Sequence, residues 1–476
     1  MKITLNGKKI KCEEEQTILQ VAKKQGIKIP TLCYSERFHP KSVCRVCLVE
    51  VNGKMIPSCS TNVKEGMIID TESQRVLKAR KINTELLISE HREHLTQTKK
   101  HELCVLAKDV GIRQTRFSTI GKIHNPNEGI GIVRDDNKCI LCGKCVQACE
   151  MQNVNAIDFA YRSYHTKITP AFEGRIDDSV CIHCGQCILA CPANAIYEKD
   201  SIKEVEKALK SKHVFVQTAP AVRASLGEEF GLEPGTLVTG KMVSALRKLG
   251  FKEVFDTQFG ADLTIMEEAT ELVERLKNNK NLPMITSCCP AWIKYIEHFY
   301  PELLNHVSTC KSPHEMFGAV LKNYYIENSR IKKKNAVVVS VMPCTAKKFE
   351  AQRKELNKDV DYVLTTREIA RMIKNHRINF NNLKDDNFDA PLGISSGAAT
   401  LFGATGGVME AALRTAYELE TGKDLEILEF NQIRGLKNVK EGNIMINGHD
   451  LTFVVVNGLH YAKELLEQIK KGECKY

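Results

Sequence analysis

The chain has 476 residues, of which 26% are charged, with a formal net charge of +10. That length holds two or more domains and at least one large core. Its Lys and Arg are dispersed and carry no nucleic-acid-binding motif, which leaves a solvated basic face or a dock for an acidic electron carrier.

No apolar run approaches a membrane span. The N-terminus, Met1-Lys2-Ile3-Thr4-Leu5-Asn6-Gly7-Lys8, lacks the apolar stretch of a secretory signal, so a cytoplasmic protein is expected. The 19 cysteines fall largely in C-x-x-C runs, the pattern of soft metal ligands in a reducing compartment rather than of disulfides. Residues 1–77 open with a hairpin signal, Ile3-Thr4-Leu5, the turn Asn6-Gly7, then Lys8 to Lys11. A helix is expected near Thr17 to Lys24. Cys33, Cys44, Cys47 and Cys59 follow as C-x10-C-x2-C-x11-C, a variant of the plant ferredoxin spacing for a [2Fe-2S] cluster. Zinc is the alternative, but structural zinc shows two close pairs and here only Cys44 and Cys47 are close.

Residues 125–209 repeat one unit twice: Cys139-x2-Cys142-x2-Cys145-x3-Cys149, then Cys181-x2-Cys184-x2-Cys187-x3-Cys191-Pro192. In two-cluster ferredoxins each fourth cysteine ligates the other cluster. One [4Fe-4S] cluster is therefore expected on Cys139, Cys142, Cys145 and Cys191, the other on Cys181, Cys184, Cys187 and Cys149. Glu150 stands where the repeat usually has proline, away from the ligands.

From about 210 onward cysteine thins out. Val214-Phe215-Val216, Val337 to Val341 and Phe453 to Val456 have buried-strand length, and helical periodicity marks Thr239 to Leu249, Thr264 to Leu276 and Val408 to Leu419. Such alternation predicts parallel sheets covered by helices. The short run Leu282-Pro283-Met284-Ile285 reads as a buried strand ending at Thr286-Ser287-Cys288-Cys289-Pro290-Ala291-Trp292. Pro290 suits the first position of a helix, where its missing N–H costs nothing. The thiols then sit at the carboxyl end of a strand, where open α/β sheets place ligands. Taken alone, Cys288-Cys289 could be two structural cysteines. A second stretch of the same design follows, Val337 to Val341 and then Met342-Pro343-Cys344-Thr345-Ala346-Lys347-Lys348-Phe349-Glu350.

TSCCPAW and MPCTAKKFE together resemble the first two active-site signatures of the iron-only ([FeFe]) hydrogenases. The resemblance covers essentially the whole chain. It implies a multidomain α+β and α/β protein: a [2Fe-2S] β-grasp ferredoxin-like domain (1–77), a segment (78–124), a two-cluster ferredoxin domain (125–209) and a two-lobed α/β hydrogenase domain (210–476). Relatives carry an H-x3-C-x2-C-x5-C cluster motif in the segment 78–124. Here His91 and Cys104 keep the frame, but Leu95 and Thr98 take the middle positions, so that cluster is expected to be absent. Cys104 then reads as a buried thiol, and His94 and His101 as out of register and solvent-facing.

In the family the active site is an H-cluster, a [4Fe-4S] cubane joined to a two-iron unit. The resemblance implies Cys289 and Cys344 as two cubane ligands, Cys288 as a proton carrier, Lys347 as a donor to a cyanide and Met342 packed near a carbonyl. It also implies Pro220 and Ala221 in an active-site loop, and Thr405 and Gly406 in the glycine-rich start of a helix that approaches the site. Glu268, Glu271 and Arg275 share one helix face. Periodicity alone would make them a solvated salt-bridge stripe; the resemblance makes them, with Ser308 and Cys288, a proton relay. His314 stands where relatives more often have Gln. Cys12, Cys310 and Cys474 match no motif.

The implied activity is reversible H2 oxidation and proton reduction, with electrons passing to or from ferredoxin or an NAD(P)-linked flavoprotein subunit. A non-catalytic electron-transfer or sensory iron–sulfur subunit is the alternative. Relatives continue past the stretch matching Gly472 to Tyr476 into a third signature, E-x-M-A-C-x2-G-C-x2-G-G-G, which supplies the remaining cubane ligands. An incomplete sequence, a second polypeptide or lost catalysis would explain its absence from this sequence. Residues 1–476 alone are accordingly expected to evolve no hydrogen while their accessory clusters still reduce.

Overall fold

The computed structural model describes residues 1–91, 101–118, 125–390, 392–425 and 438–476. Its contacts divide the chain into two units. One holds Met1–Cys181 and Gly185–Glu198, the other Ile182–Cys184 and Lys199–Tyr476.

In the first unit, Lys2–Leu5 and Lys8–Lys11 form the expected antiparallel hairpin about Asn6-Gly7. Ile68–Asp70 joins parallel to Lys2–Leu5, and the antiparallel pair Leu48–Val51 and Lys54–Pro57 completes a five-stranded sheet. Alternation turns Ile3 and Leu5 inward, where they meet Val49 and Ile69 and the inner face of the helix Ile18–Lys24. That helix starts where the sequence signals it. Thr17 accepts from Gln20 N–H, and Gln20 Oε1 accepts from Thr17 N–H at 2.8 Å, a reciprocal cap. Further along, the strands Asn127–Glu128, Ile132–Arg134 and Ile196–Glu198 form a small antiparallel sheet. The cysteine repeat is also a structural repeat. The helices Lys144–Glu150 and Gln186–Ala190 each follow a left-handed glycine, Gly143 at φ 75° and Gly185 at φ 74°. The third residue of each motif, Leu141 and His183, is left-handed as well. Glycine is the residue that makes this repeated turn into a helix without strain.

The second unit is built on a four-stranded, wholly parallel sheet in the order Glu253–Asp256, His213–Thr218, Ala336–Val341, Tyr362–Leu364. Val214, Phe215, Val216, Val338 and Val339 are fully buried between covering helices. Burial of such side chains is worth roughly 1.5–3 kcal/mol each. Helices occupy Thr239–Leu249, Gln258–Asn278 and Gly407–Thr421, the last two longer at both ends than the periodicity suggests. The helix Ile202–Ser211 belongs to this unit. Its start is held by Glu368, which accepts from Ser201 N–H at 2.8 Å. Glu368 also pairs with buried Lys348 at 2.9 Å.

Two expectations need correction. Leu282–Ile285 is not a strand: Ile285 makes a single parallel bridge to Val307, and Pro283 offers no N–H to a ladder. Phe453 to Val456 is not a parallel core strand either. It lies in His449–Val456, which pairs antiparallel with Val439–Ile446 across an Asn447-Gly448 turn. Among the described residues the unit therefore has one parallel sheet and one hairpin. The hairpin packs Ile444 and Ile446 against Ala269 and Val273 of the Gln258–Asn278 helix and Leu413 and Ala416 of the Gly407–Thr421 helix.

Candidate active site and metal centres

Cys33, Cys44, Cys47 and Cys59 are all buried. Cys33 hydrogen-bonds Cys44, and Cys47 hydrogen-bonds Cys59. The partner's hydrogen bond draws Cys33 and Cys47 each down to about 6 while their partners are pushed up. Two of the four thiols are thus already biased toward thiolate, a soft donor set that suits an iron–sulfur cluster.

Cys139, Cys142, Cys145 and Cys191 line one cavity with Ile140 and Ile168. The fourth cysteine of the second repeat thus joins three of the first, as the doubled motif predicts. Leu141 N–H points at Cys139 Sγ (3.4 Å), and Ala195 N–H at Cys191 Sγ (3.2 Å). Such donors stabilise a charged sulfur. Burial pushes Cys139 up to about 11, Cys142 up to about 12 and Cys145 well above its usual value. Only a bound cation would hold these three as thiolates, and the donor set fits a [4Fe-4S] cluster. Cys149 Sγ accepts from Ala156 N–H at 3.2 Å, the same arrangement as at Cys191.

In the segment between the two cluster domains, His101 departs from expectation. It caps the helix Glu102–Asp109, and its Nε2 lies 3.2 Å from Cys104 Sγ. Its ring is 5.0 Å from that of His91. It faces Cys104 rather than solvent, because an N-cap side chain folds back over its own first turn. His94, Leu95 and Thr98 lie outside the described residues.

The active-site candidates gather at the carboxyl end of the parallel sheet. Ala219-Pro220-Ala221 leaves strand His213–Thr218, with Ala219 N–H on Val341 O (3.0 Å). Met342-Pro343-Cys344 leaves Ala336–Val341, with Met342 N–H on Leu364 O (2.9 Å). Met342 is buried; Cys344 is half-buried and Cys289 exposed. Pro290 begins the helix Pro290–Phe299 as expected. The two signatures touch, since Lys347 Nζ donates to Cys288 O at 3.0 Å. Lys347 also pairs with Glu350 at 2.8 Å. Burial would lower the Lys347 ammonium, but the Glu350 charge and hydrogen bond, together with the Cys344 and Cys288 charges, outweigh it and raise it. The Thr405-Gly406 turn precedes the helix Gly407–Thr421. Its glycine has a packing reason that the sequence did not reveal. A Cβ on Gly407 would lie 1.6 Å from Leu401 O, so no side chain fits there.

The candidate relay residues are brought together unevenly. Ser308 Oγ donates to Glu271 Oε2 at 2.9 Å, and Arg275 Nη2 lies 2.6 Å from Glu271 Oε1. Arg275 is buried and also donates to His306 O (2.9 Å) and Val307 O (2.8 Å). It is therefore no solvated stripe. Burial alone would raise Glu271, but Ser308, Arg275 and Thr309 N–H outweigh it and hold its carboxyl below the usual range. Glu268 is 1% exposed, and neither of its oxygens has a hydrogen-bond partner among the described residues. Burial pushes it up to about 7. Burial and the Glu268 charge likewise push the Cys288 thiol up to about 12. The bridge from Ile285 to Val307 sets this arrangement, placing Ser308 one residue and Ser287 two residues beyond the pair. Sequence reasoning missed Cys310, whose Sγ lies 3.8 Å from Glu271 Oε2 and whose carbonyl accepts from Ser287 Oγ at 2.6 Å. It also missed His183. Its carbonyl accepts from Thr345 Oγ1 (2.7 Å), next to Cys344, and its ring stacks on Phe349. No motif spacing signals either residue.

Residues 212–476 match the family described as iron only hydrogenase large subunit, C-terminal domain. Residues 1–74 match a 2Fe-2S iron-sulfur cluster binding domain, and 138–195 a 4Fe-4S dicluster domain. The chain is 46% identical to the NADP-reducing hydrogenase subunit HndD of Solidesulfovibrio fructosivorans, over 99% of this chain and 85% of that one. It is 43% identical to iron hydrogenase 1 of Clostridium pasteurianum, over 99% and 84%. A solved apo [FeFe]-hydrogenase from Chlamydomonas reinhardtii superposes with a TM-score of 0.51 at 42% identity, covering 57% of this chain and 79% of that one. The chain belongs to the [FeFe] hydrogenases, iron–sulfur enzymes that interconvert H2 and protons. Its cofactors are [2Fe-2S] and [4Fe-4S] clusters and the H-cluster, which together relay the electrons. Among the described residues no helix is long and apolar enough to cross a membrane.

Proposed function

We propose that hydrogen chemistry in this chain takes place where the TSCCPAW and MPCTAKKFE loops meet, with Cys289 and Cys344 as cubane ligands. The observation that carries this reading is the Lys347–Cys288 O bond of 3.0 Å, which ties the two signatures at the carboxyl end of the sheet. When bound, the H-cluster supplies the two-electron redox chemistry at iron. The protein moves the proton: Cys288 exchanges it with Glu268, and Ser308, Glu271 and Arg275 carry it outward. Lys347 offers a buried positive donor to an anionic ligand, with Met342, Pro220, Ala221, Thr405 and Gly406 shaping the walls.

Cys139, Cys142, Cys145 and Cys191 hold one accessory [4Fe-4S] cluster, and Cys149, Cys181, Cys184 and Cys187 the other. Cys33, Cys44, Cys47 and Cys59 hold the [2Fe-2S] cluster. Electrons enter or leave through them from ferredoxin or an NAD(P)-linked flavoprotein subunit, the second favoured by the likeness to an NADP-reducing hydrogenase subunit. A cytoplasmic location is compatible with that likeness. The test separates ligation from proton transfer. Cys289→Ala or Cys344→Ala should lower iron content and remove the cubane signal. Cys288→Ala should keep both and abolish turnover in the loaded enzyme. Loss of iron in Cys288→Ala would make that thiol a ligand and refute the assignment.

A further inference from the structure

Beside Lys347 lies a buried group of titratable side chains that the relay does not use. His314 and Glu315 open the helix Pro313–Val320, while Lys347 and Glu350 lie one turn apart on Ala346–Glu350. They form a row. Glu350 Oε2 takes Lys347 Nζ at 2.8 Å and His314 Nε2 at 2.6 Å. The same His314 nitrogen lies 3.4 Å from Glu315 Oε1, and His314 Nδ1 faces Ser340 Oγ at 3.2 Å. The side chains of His314 and Glu315 are 1% and 0% exposed, and neither Glu315 oxygen has a hydrogen-bond partner among the described residues.

The charge balance decides what Glu315 is. Lys347 and Glu350 neutralise each other, and His314 Nε2–H is directed at Glu350. A charged Glu315 would then be a buried carboxylate with no donor, which a protein interior does not sustain. A divalent cation is the other way to satisfy such a group, because His314, Glu315 and Glu350 offer ligand atoms within 4.8 Å of one another. The Lys347 ammonium already occupies the shared Glu350 oxygen, and its charge would oppose a second cation there. We propose that Glu315 holds an exchangeable proton as a neutral acid next to the His314–Glu350–Lys347 row, a proton-holding site separate from the Glu268 row. Its place in the reaction rests on the role of Lys347 proposed above; its protonation does not. Burial, reinforced by the Glu350 charge, pushes Glu315 up to about 8, with Asp359 adding to the rise and Lys347 and Lys311 opposing it. Burial and Lys347 push His314 down, so the proton rests on the carboxyl and not on the imidazole.

The test is infrared spectroscopy of the anaerobic full chain between pH 6 and pH 10, read as the C=O stretch of protonated carboxyl groups. A band with its midpoint near pH 8 is expected in the unaltered chain and not in Glu315→Gln. Should that variant fail to fold, Glu268→Gln serves in its place, because it removes the other raised acid and must still show one band titrating near pH 8. The same band in Glu315→Gln as in the unaltered chain, or no band in Glu268→Gln, overturns the proposal. Neither readout depends on hydrogen turnover, so an inactive enzyme would leave this result standing.

Discussion

Glu268→Gln tests the relay at its most exposed physical assumption. Burial, with the Glu271 charge adding to it and nearby Ser308 and Ser287 only partly opposing it, raises this carboxyl from 4.5 to about 7. At about 1.4 kcal/mol per decade, that corresponds to about 3 kcal/mol of cost for holding the charge inside the folded protein. The direction follows from linkage. Below pH 4.5 the acid is neutral in the folded and unfolded chain alike, and its contribution to stability is intact. As pH rises through 7 the folded chain must either keep the proton or bury a charge, and that contribution is lost. The amide neither ionises nor carries a proton onward. The single tryptophan, Trp292, sits in the catalytic unit and reports its unfolding. Denaturant midpoints should therefore be similar for the two proteins near pH 4.5 and diverge by pH 8, with the variant ahead by up to about 3 kcal/mol. In the loaded enzyme the same change should slow turnover about 10²–10⁴-fold, the usual worth of a positioned proton carrier. A stability difference that does not vary with pH would show that Glu268 is not a buried titrating acid. The relay would then need another route.

Two further outcomes follow from the fold and from the cysteine census. Lys348→Met breaks a pair whose side chains are 3% and 0% exposed. It leaves the Glu368 charge buried and should cost about 3–5 kcal/mol by denaturant unfolding; a loss under about 1 kcal/mol would mean the pair is solvated. Electron paramagnetic resonance of reconstituted protein should show one [2Fe-2S] and two accessory [4Fe-4S] signals. A further accessory signal that survives Cys289→Ala and Cys344→Ala would overturn the reading of Leu95 and Thr98.

The grouping of cysteines was legible where a repeated motif carries it. A cysteine run that wraps one cluster fixes its own spacing, so the doubled motif foretold even the grouping of Cys191 with Cys139, Cys142 and Cys145 around one cavity. Helices with strong periodicity were legible too, and Thr17 and Pro290 marked helix starts correctly. Pairings made only by tertiary approach have no local pattern. Ser308 meets Glu271 across 37 residues, a grouping that only the family resemblance anticipated, and His314 meets Glu350 across 36, which nothing in the sequence signalled. The apolar run 453–456 misled for a different reason. Its Asn447-Gly448 turn, a hairpin signal in plain view, outweighs hydrophobicity in deciding strand direction. The glycine-rich helix start was expected to approach the site, and at Gly407 the reason for glycine is helix packing against Leu401 O.

The two acids of the relay show why their unequal surroundings matter. Both stand on the Gln258–Asn278 helix, one turn apart, and would have similar acidities in water. The structure gives Glu271 an arginine, a serine hydroxyl and a backbone N–H, and buries Glu268 more deeply, with nearby Ser308 and Ser287 only partly offsetting that burial. The consequence is a division of labour set by environment alone. Glu271 stays charged across the neutral range and fixes the orientation of Ser308 and Arg275. Glu268, raised to about 7, is poised to gain or lose its proton near neutral pH. If both were paired, neither would release or accept a proton near neutrality. If both were bare, repulsion between them and the cost of burial would keep both neutral. In the proposed relay, an acid held charged beside an acid poised to titrate is the arrangement that would let a proton pass between Cys288 and the Arg275 end of the row.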